Sequence, residues 1–281
     1  MTTTLLQGDC RDHLALMPAG GVQCVITSPP YFGLRRYTDD PREIGTEATP
    51  AEYAAALVAV FGQVWRVLAD DGTLWLNLGD CYANDTKWGG STSGKHATGL
   101  HGATYIGRVR TNTGLPSKSL MGIPWRVAFA LQDAGWVLRS DIVWNKPNAM
   151  PESVTDRPTR SHEYLFLFSK QPRYYYDADA IKEPAVNGDA RQPLTHRNKR
   201  TVWTIPTQGL RDAHYAPMPE ALVEPCILAG SRPGDTVLDP FMGSGTVARV
   251  ALKHQRHAIG IDLGYQDLQA KRTDGVQVAL L

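Results

Sequence analysis

The sequence alternates short apolar runs, rich in β-branched residues, with longer segments of helical periodicity. Residues 23–27 form an apolar run that stops at a serine and two prolines, which cannot continue a central strand. From Pro50 the apolar residues fall three or four apart, which predicts a helix that ends at residues 71–72 and a strand over residues 73–78. Strands that alternate with helices restrict the chain to an α/β fold, with a mostly parallel sheet covered on both faces.

The rest of the chain keeps this alternation. A chain of 281 residues is long enough for one large α/β domain with an insertion, or for two unequal domains. Its 42% hydrophobic and 20% charged residues are those of an ordinary globular protein and exclude a wholly disordered or coiled-coil chain. Further helices are predicted over residues 121–134, over residues 219–229 and after Gly245, and further strands over residues 136–144, 164–168, 236–238 and 257–261.

Two segments interrupt the alternation. Residues 81–119 are rich in Gly, Ser, Thr and Asn, and so long a segment without periodicity is a functional loop or a disordered one. Residues 147–217 carry many prolines and charges, which predicts an irregular insertion or a small subdomain. The net charge of +1 does not predict a polyanionic partner. However, residues 84–118 carry five basic residues and one acidic residue, and residues 191–211 carry five basic residues and no acidic one. Each of these runs is a solvated loop or a nucleic-acid contact.

The cysteines and the apolar stretches indicate a cellular compartment. Four dispersed cysteines contain no C-x-x-C pair, so neither a disulfide framework nor a cysteine zinc site is expected. No paired histidine motif accompanies them, and no metal site is expected. The chain shows no basic, apolar leader and no stretch near the about 18 apolar residues of a membrane span. These features predict a soluble protein of the cytoplasm without membrane contact.

Residues 236–246 read T-V-L-D-P-F-M-G-S-G-T, a strand that ends in an acid and continues through small residues into a helix. The glycines let a ligand approach the backbone, and the helix that follows offers free N–H groups. Residues 243–248 also fit the dinucleotide fingerprint G-x-G-x-x-A, and Asp262 at the end of the next strand is placed to bind ribose hydroxyls. A nicotinamide-dependent enzyme is therefore an alternative interpretation of this segment. However, only 36 residues follow Gly245, which are too few for the remaining strands of such a fold.

The segment Thr27-Ser28-Pro29-Pro30-Tyr31 ends the first predicted strand. A hydroxyl, a carbonyl held by a rigid proline pair and an aromatic ring can accept hydrogen bonds from an amino group while stacking on a flat ring. This arrangement suits the exocyclic amine of a nucleobase. Taken alone, it is better explained by a proline-rich turn capped by a packed tyrosine.

Together, S-P-P-Y at residues 28–31 and F-M-G-S-G at residues 241–245 resemble the signature motifs of the DNA amino-methyltransferases, [D/N/S]-P-P-[Y/F/W] and F-x-G-x-G. These enzymes use S-adenosylmethionine to methylate N4 of cytosine or N6 of adenine. Other segments, at residues 8–10, 142–147, 161–164 and 214–220, are similar to further parts of the family. The resemblance implies a Rossmann-like S-adenosylmethionine-dependent methyltransferase fold. It also implies catalytic roles for Ser28, Pro29, Pro30 and Tyr31, and cofactor contacts from Asp9, Cys10, Thr27, Asp239, Pro240, Phe241, Gly243, Ser244, Gly245, Thr246 and Asp262.

The order of the motifs resembles the permuted β group of this family, in which the catalytic loop precedes the cofactor loop. The remaining cofactor strand then lies at residues 5–7, so Asp9 and Asp262 are expected to flank the same adenosine. This order predicts three parts: a target-base half over residues 1–146 with a flexible loop at 84–118, a DNA-recognition insertion over 147–211, and a cofactor-binding half over 212–281.

The resemblance implies that the target base is flipped out of double-stranded DNA and methylated in one in-line step. Tyr31 is expected to stack on the base, while the Pro29 carbonyl and the Ser28 hydroxyl accept hydrogen bonds from its amine. Serine before P-P-Y is commoner among the N4-cytosine enzymes of the family, which favours cytosine and leaves N6-adenine as the alternative. Phosphate contacts are expected from Arg35, Arg36, Lys146, Arg197, Lys199 and Arg200.

A few residues allow other interpretations. Cys226 follows a proline, as a C5-methyltransferase nucleophile does, but its place in a predicted helix indicates a packed thiol. Trp144 and Trp203 are expected to pack in the core rather than to stack on bases. A catalytically silent nucleic-acid-binding module is a further alternative. The expected partners are double-stranded DNA, a cognate restriction endonuclease and a second copy in a homodimer.

Overall fold

The computed structural model describes residues 1–33, 42–83, 113–185, 195–208, 217–264 and 266–276. The strands are β1 (Thr3–Gln7), β2 (Val22–Thr27), β3 (Leu68–Leu78), β4 (Val137–Asn145), β5 (His162–Ser169), β6 (Glu183–Pro184), β7 (His196–Arg197), β8 (Val202–Thr204), β9 (Thr236–Asp239) and β10 (His257–Asp262). The helices are α1 (Cys10–Leu16), α2 (Pro50–Val67), α3 (Ile123–Asp133), α4 (Glu220–Gly230), α5 (Thr246–Lys253) and α6 (Gln266–Thr273).

Eight of these strands form one sheet in the order β1-β10-β9-β2-β3-β5-β4-β8. Strand β5 runs antiparallel to both of its neighbours, and the other pairs in this sheet are parallel. The predicted α/β fold with a mostly parallel sheet is therefore confirmed. Strand β1 pairs with β10, and Gln7 lies opposite Asp262. This pairing brings the two ends of the described chain together, as the permuted order requires.

The start of β3 differs from the prediction. Helix α2 ends at Val67 and β3 begins directly at Leu68, so the helix end predicted at residues 71–72 is wrong. The register between β2 and β3 shifts after Leu68, and the residues that follow form a bulge. Gly72 lies in this bulge, where a Cβ atom would be 2.8 Å from the Gln23 carbonyl oxygen. The glycine therefore allows the close approach of two strands rather than ending a helix.

Two apolar cores cover the two faces of the sheet. On one face, α1, α2 and α3 bury Leu14, Leu57 and Val127. On the other face, α4 and α5 bury Ile227 and Val247. The burial of one stripe from each helix against the sheet supplies the main favourable free energy of this fold.

Trp144 and Trp203 belong to the second core, where they are 3% and 5% exposed. Their indole N–H groups donate to the carbonyl oxygens of Ile205, at 2.8 Å, and Arg200, at 2.6 Å. The predicted packing role of both residues is confirmed.

The segment predicted as an insertion also contributes to the central sheet. Strands β5 and β8 both come from residues 147–211, and they lie on either side of β4. Most of the predicted flexible loop, residues 84–112, lies outside the described residues. Among the helices that the structure describes, none is long and apolar enough to cross a membrane.

Candidate active site

Two loops meet at the carboxyl edge of the sheet. The first follows β2 and carries S-P-P-Y, and the second follows β9 and carries the glycines; β2 and β9 are neighbours in the sheet. Thr27 Oγ1 donates a 2.6 Å hydrogen bond to Asp239 Oδ1, and both side chains are buried. This bond joins the two sequence motifs, 212 residues apart, in one site.

Carboxylates at two strand ends hold the glycine loop. Asp239 Oδ1 accepts a 3.0 Å hydrogen bond from Phe241 N, and Asp262 Oδ2 accepts a 2.7 Å hydrogen bond from Gly243 N. Gly243 and Gly245 have φ angles of 50° and 81°, in the left-handed region that glycine adopts without steric cost. The loop leads directly into α5, whose first N–H groups have no partner within the helix.

Helix α6 also holds this loop, through two side chains that no sequence motif indicates. Gln269 Nε2 donates to the Gly243 carbonyl oxygen at 2.7 Å. Arg272 donates to the Ser244 carbonyl oxygen at 2.9 Å and to its hydroxyl at 2.6 Å. Along the loop, Pro240, Gly245 and Thr246 are buried, and Phe241, Gly243 and Ser244 are half-buried.

Burial changes the proton affinity of both strand-end acids. It raises the pKa of Asp239 to about 7, although hydrogen bonds from Thr27 and Phe241 N lower it in part. Burial also raises the pKa of Asp262. An ionised carboxylate in a low-dielectric site is costly unless a positive charge accompanies it, so the site favours a cationic ligand.

Asp239→Asn is expected to make the cofactor-free protein more stable, and the gain should be larger at pH 8 than at pH 5. In the folded state Asp239 keeps its proton up to pH about 7, whereas in the unfolded chain it ionises near 3.8. The stability of the wild type therefore falls as the pH rises through this window, by up to about 4 kcal/mol. Asparagine avoids this loss and retains the acceptor for Thr27. Calorimetry at the two pH values measures the difference, and an equal gain at both would contradict the prediction.

Asp9 lies beside Asp262 through the pairing of β1 with β10, and Gly8 N donates to the Asp262 carbonyl oxygen at 2.9 Å. The Asp9 carboxylate caps α1 and forms a two-pronged ion pair with Arg11. Burial acts to raise the pKa of Asp9, but the hydrogen bonds from Arg11 lower it below its usual value. Cys10 begins α1, and burial raises the pKa of its thiol to about 12. The contact of Asp9 and Cys10 with the adenosine stays a prediction.

The S-P-P-Y loop is fixed by contacts on both sides. Tyr53 donates its hydroxyl to the Pro30 carbonyl oxygen at 2.8 Å. The Tyr31 hydroxyl donates to Glu163 Oε2 at 2.8 Å, and Asn77 Oδ1 lies 3.2 Å from it. Pro29 is buried, whereas Ser28, Pro30 and Tyr31 are half-buried at the carboxyl edge of the sheet.

No motif indicates a role for Asn77 or Gly79, and Glu163 enters the resemblance only as part of the segment at residues 161–164. One signal was available for Glu163, because an acid at the start of the apolar run H-E-Y-L-F-L-F is unusual for a buried strand. Gly79 follows the end of β3, where a Cβ atom would lie 2.5 Å from the Tyr31 ring. Only glycine therefore leaves room for this ring position.

Gly79→Ala is expected to displace the Tyr31 ring and to lower the rate of methyl transfer about 10-fold, because small misplacements at a reacting centre are costly. Cofactor affinity should stay within about 2-fold, since the atoms nearest to a Cβ at Gly79 belong to the Tyr31 ring and not to the glycine loop. Single-turnover kinetics and calorimetric titration measure the two quantities. Gly62→Ala is the matched control, because nothing lies within 4 Å of a Cβ atom at Gly62. Equal rates for Gly79→Ala and wild type would contradict the prediction.

The residues predicted to contact DNA have different surroundings. Arg35 and Arg36 lie outside the described residues. Lys146 pairs with Glu163 and lies 4.1 Å from the Trp144 ring centroid. Arg197 and Arg200 both pair with Glu183, at 2.9 and 3.0 Å, and the Lys199 ammonium lies 4.9 Å from the Trp203 ring centroid. Their contacts with phosphate stay predictions.

Cys226 lies inside α4 and is fully buried. Its thiol donates to the Leu222 carbonyl oxygen at 3.2 Å, and burial raises its pKa well above the usual value. A reactive cysteine needs a stabilised thiolate and access to its substrate. The interpretation of Cys226 as a packed thiol is confirmed.

The groups at this site fit S-adenosylmethionine. Carboxylates at the ends of β9 and β10 can accept from ribose hydroxyls and from an ammonium group. The N–H groups of the glycine loop and of the start of α5 can bind a carboxylate. The buried acids favour the positive charge of a sulfonium.

The sequence model of the DNA methylase family matches residues 22–270, so the chain belongs to the N6/N4 DNA methylase family. Type II methyltransferase M.Cfr9I of Citrobacter freundii is 48% identical over 276 residues, which cover 97% of this chain and 88% of that protein. M.SmaI of Serratia marcescens is 47% identical over 270 residues, which cover 95% and 89%. This membership confirms the predicted family and the DNA methyltransferase function, and it excludes the nicotinamide enzyme.

Solved structures agree with the fold. The PvuII DNA methyltransferase, described as cytosine-N4-specific, superposes with a TM-score of 0.70 and 21% identity over 99% of this chain and 89% of that chain. M1.HpyAVI in complex with S-adenosylmethionine gives a TM-score of 0.59 and 17% identity over 97% and 100%. The predicted methyltransferase fold is confirmed, and so is S-adenosylmethionine as the cofactor of a methyltransferase of this family.

Proposed function

We propose that the chain methylates N4 of cytosine in double-stranded DNA. The observation that carries this proposal is the neutral Ser28 at the head of the catalytic loop, next to Thr27, which is bonded to Asp239 of the cofactor loop. The cytosine-N4-specific description of the PvuII enzyme supports the same choice of base.

In this proposal, the catalytic loop positions an amine and does not form a covalent bond to it. The Pro29 carbonyl and the Ser28 hydroxyl accept hydrogen bonds from the amine, which directs the nitrogen lone pair toward the cofactor. The Tyr31 ring stacks on the flipped base. S-adenosylmethionine supplies the methyl group as an electrophile. Asp262 and Asp9 hold its adenosine at the ends of β10 and β1.

The target base reaches this loop only if it leaves the duplex, at a cost of about a few kcal/mol. Phosphate contacts from basic residues of the insertion and of the 84–118 loop contribute the binding free energy that offsets this cost. The insertion, residues 147–211, is the proposed site of sequence recognition.

The product identifies the base. Unmethylated DNA is incubated with the protein and isotopically labelled S-adenosylmethionine, then digested to nucleosides for mass spectrometry. The expected product is N4-methylcytosine. N6-methyladenine as the product would be consistent with the proposed mechanism but would contradict cytosine as the target base. No labelled nucleoside, despite cofactor binding and DNA that contains many sequence contexts, would favour the catalytically silent module.

The named relatives are Type II methyltransferases, which supports a cognate restriction endonuclease as a functional partner. We also propose that the protein is located in the cytoplasm, where its DNA substrate is accessible. We further propose that it forms a homodimer. Sedimentation equilibrium with and without DNA tests the dimer.

A further inference from the structure

Four polar side chains form a row along the carboxyl edge of the sheet, on the side of the catalytic loop away from the glycine loop. They are Tyr31 after β2, Asn77 in β3, Glu163 in β5 and Lys146 after β4. Neighbouring strands place them side by side, although the chain separates Tyr31 from Glu163 by 132 residues.

Glu163 is the centre of this row. Its Oε2 accepts from the Tyr31 hydroxyl at 2.8 Å and from Asn77 Nδ2 at 3.3 Å, and its Oε1 pairs with Lys146 Nζ. The side chains of Glu163 and Lys146 are 16% and 15% exposed, so neither charge is well hydrated. Each charge is instead balanced by the other and by hydrogen bonds.

These bonds determine where the Tyr31 proton points. A phenol has a single proton, and the 2.8 Å contact with the Glu163 carboxylate is the stronger of its two acceptor contacts. Burial and the charge of Glu163 raise the Tyr31 pKa, so the hydroxyl stays a donor. The ring is thereby held at its hydroxyl end by Glu163. Its edge lies directly against Gly79, where a Cβ atom would not fit.

We propose that Glu163 is a positioning residue for methyl transfer, which fixes the Tyr31 ring as a wall of the target-base pocket while Lys146 supplies the balancing charge. This inference rests on the proposed role of Tyr31 in stacking on the base. It assigns Lys146 an internal role in place of the phosphate contact expected from the sequence. A purely structural ion pair between β4 and β5 would stabilise the fold without acting through Tyr31.

A double-mutant cycle with Glu163→Gln and Tyr31→Phe separates these roles. Glutamine keeps the shape and one acceptor but loses the charge, and phenylalanine removes only the hydroxyl. Each single variant is expected to lower the single-turnover rate of methyl transfer about 10-fold, the loss expected for one charge-assisted hydrogen bond. The double variant should be no slower than the slower single variant. Multiplied effects, or a wild-type rate for Glu163→Gln, would overturn the proposal.

Control measurements exclude general damage. Glu224→Gln removes an acid that contacts His254 and pairs with Lys253, away from the site, and it should keep the wild-type rate. Cofactor affinity, measured by calorimetric titration, should stay within about 2-fold in every variant. The rate counts label transferred to any base of the DNA. If the product were methylated adenine, the proposal that cytosine is the target would be wrong, but the coupling between Glu163 and Tyr31 could still be measured.

Lys146→Met tests the counter-ion role by a second route. A lysine that contacts phosphate contributes about one unit to the slope of log K against log salt concentration for DNA binding. For an internal counter-ion the slope should be unchanged, while the single-turnover rate falls. A smaller slope with an unchanged rate would overturn the assignment.

Discussion

Asp262→Ala is expected to weaken the binding of S-adenosylmethionine about 100-fold. Asp262 Oδ2 accepts from Gly243 N at 2.7 Å and Oδ1 accepts from Gly264 N at 3.0 Å, so the carboxylate orders the glycine loop before a ligand arrives. It also lies at the end of β10, where an acid binds ribose hydroxyls. Losing one or two charge-assisted hydrogen bonds, each about 1.5–3 kcal/mol, gives a loss of this size.

Calorimetric titration of the cofactor measures this effect directly. Asp267→Ala is the matched control, because Asp267 is an exposed acid in the first turn of α6 and its removal changes the net charge equally. The control should bind the cofactor within about 2-fold of wild type. An affinity for Asp262→Ala equal to that of the control would show that the carboxylate is not a cofactor ligand.

Tyr31→Ala is expected to lower the single-turnover rate of methyl transfer about 100-fold and to leave cofactor affinity nearly unchanged. Stacking of a base on an aromatic ring contributes about 1–3 kcal/mol, and the loss of a rigid wall also costs alignment of the reacting nitrogen. The Tyr31 hydroxyl contacts Ser28, Asn77 and Glu163, and none of these residues belongs to the glycine loop. The effect should therefore appear in the chemical step.

Tyr176→Ala removes an equally large ring from a different place, where it stacks on Trp75 with centroids 6.4 Å apart. This control should transfer the methyl group at the wild-type rate. A fluorescent base analogue at the target position supplies a second readout, because an unstacked, flipped base emits more strongly. If Tyr31→Ala retained both the rate and the fluorescence change, Tyr31 would have no part in the pocket.

The fold class, the two loops and their order along the chain can be read from the sequence. Each of these features depends on local chemistry. Prolines end a strand, and glycines, which can adopt left-handed backbone conformations, permit a tight loop. The spacing of apolar residues shows which face of an element is buried. The resemblance to the permuted β group also implied that the remaining cofactor strand lies at the amino terminus, beside the strand that ends at Asp262. The pairing of Gln7 with Asp262 confirms it.

Which side chains contact one another depends on the three-dimensional arrangement of the strands. Several contacts join residues that are distant in the chain: Glu163 with Tyr31, Gln269 with Gly243, and Gly72 with β2. Hydrophobic periodicity indicates which residues are buried, but it does not identify the residues that they contact. The bulge after Leu68 was missed for the same reason, since the strand that requires it lies in another part of the sequence. A parallel sheet gathers the carboxyl ends of its strands at one edge, and this geometry assembles the site from segments that show no relation in the sequence.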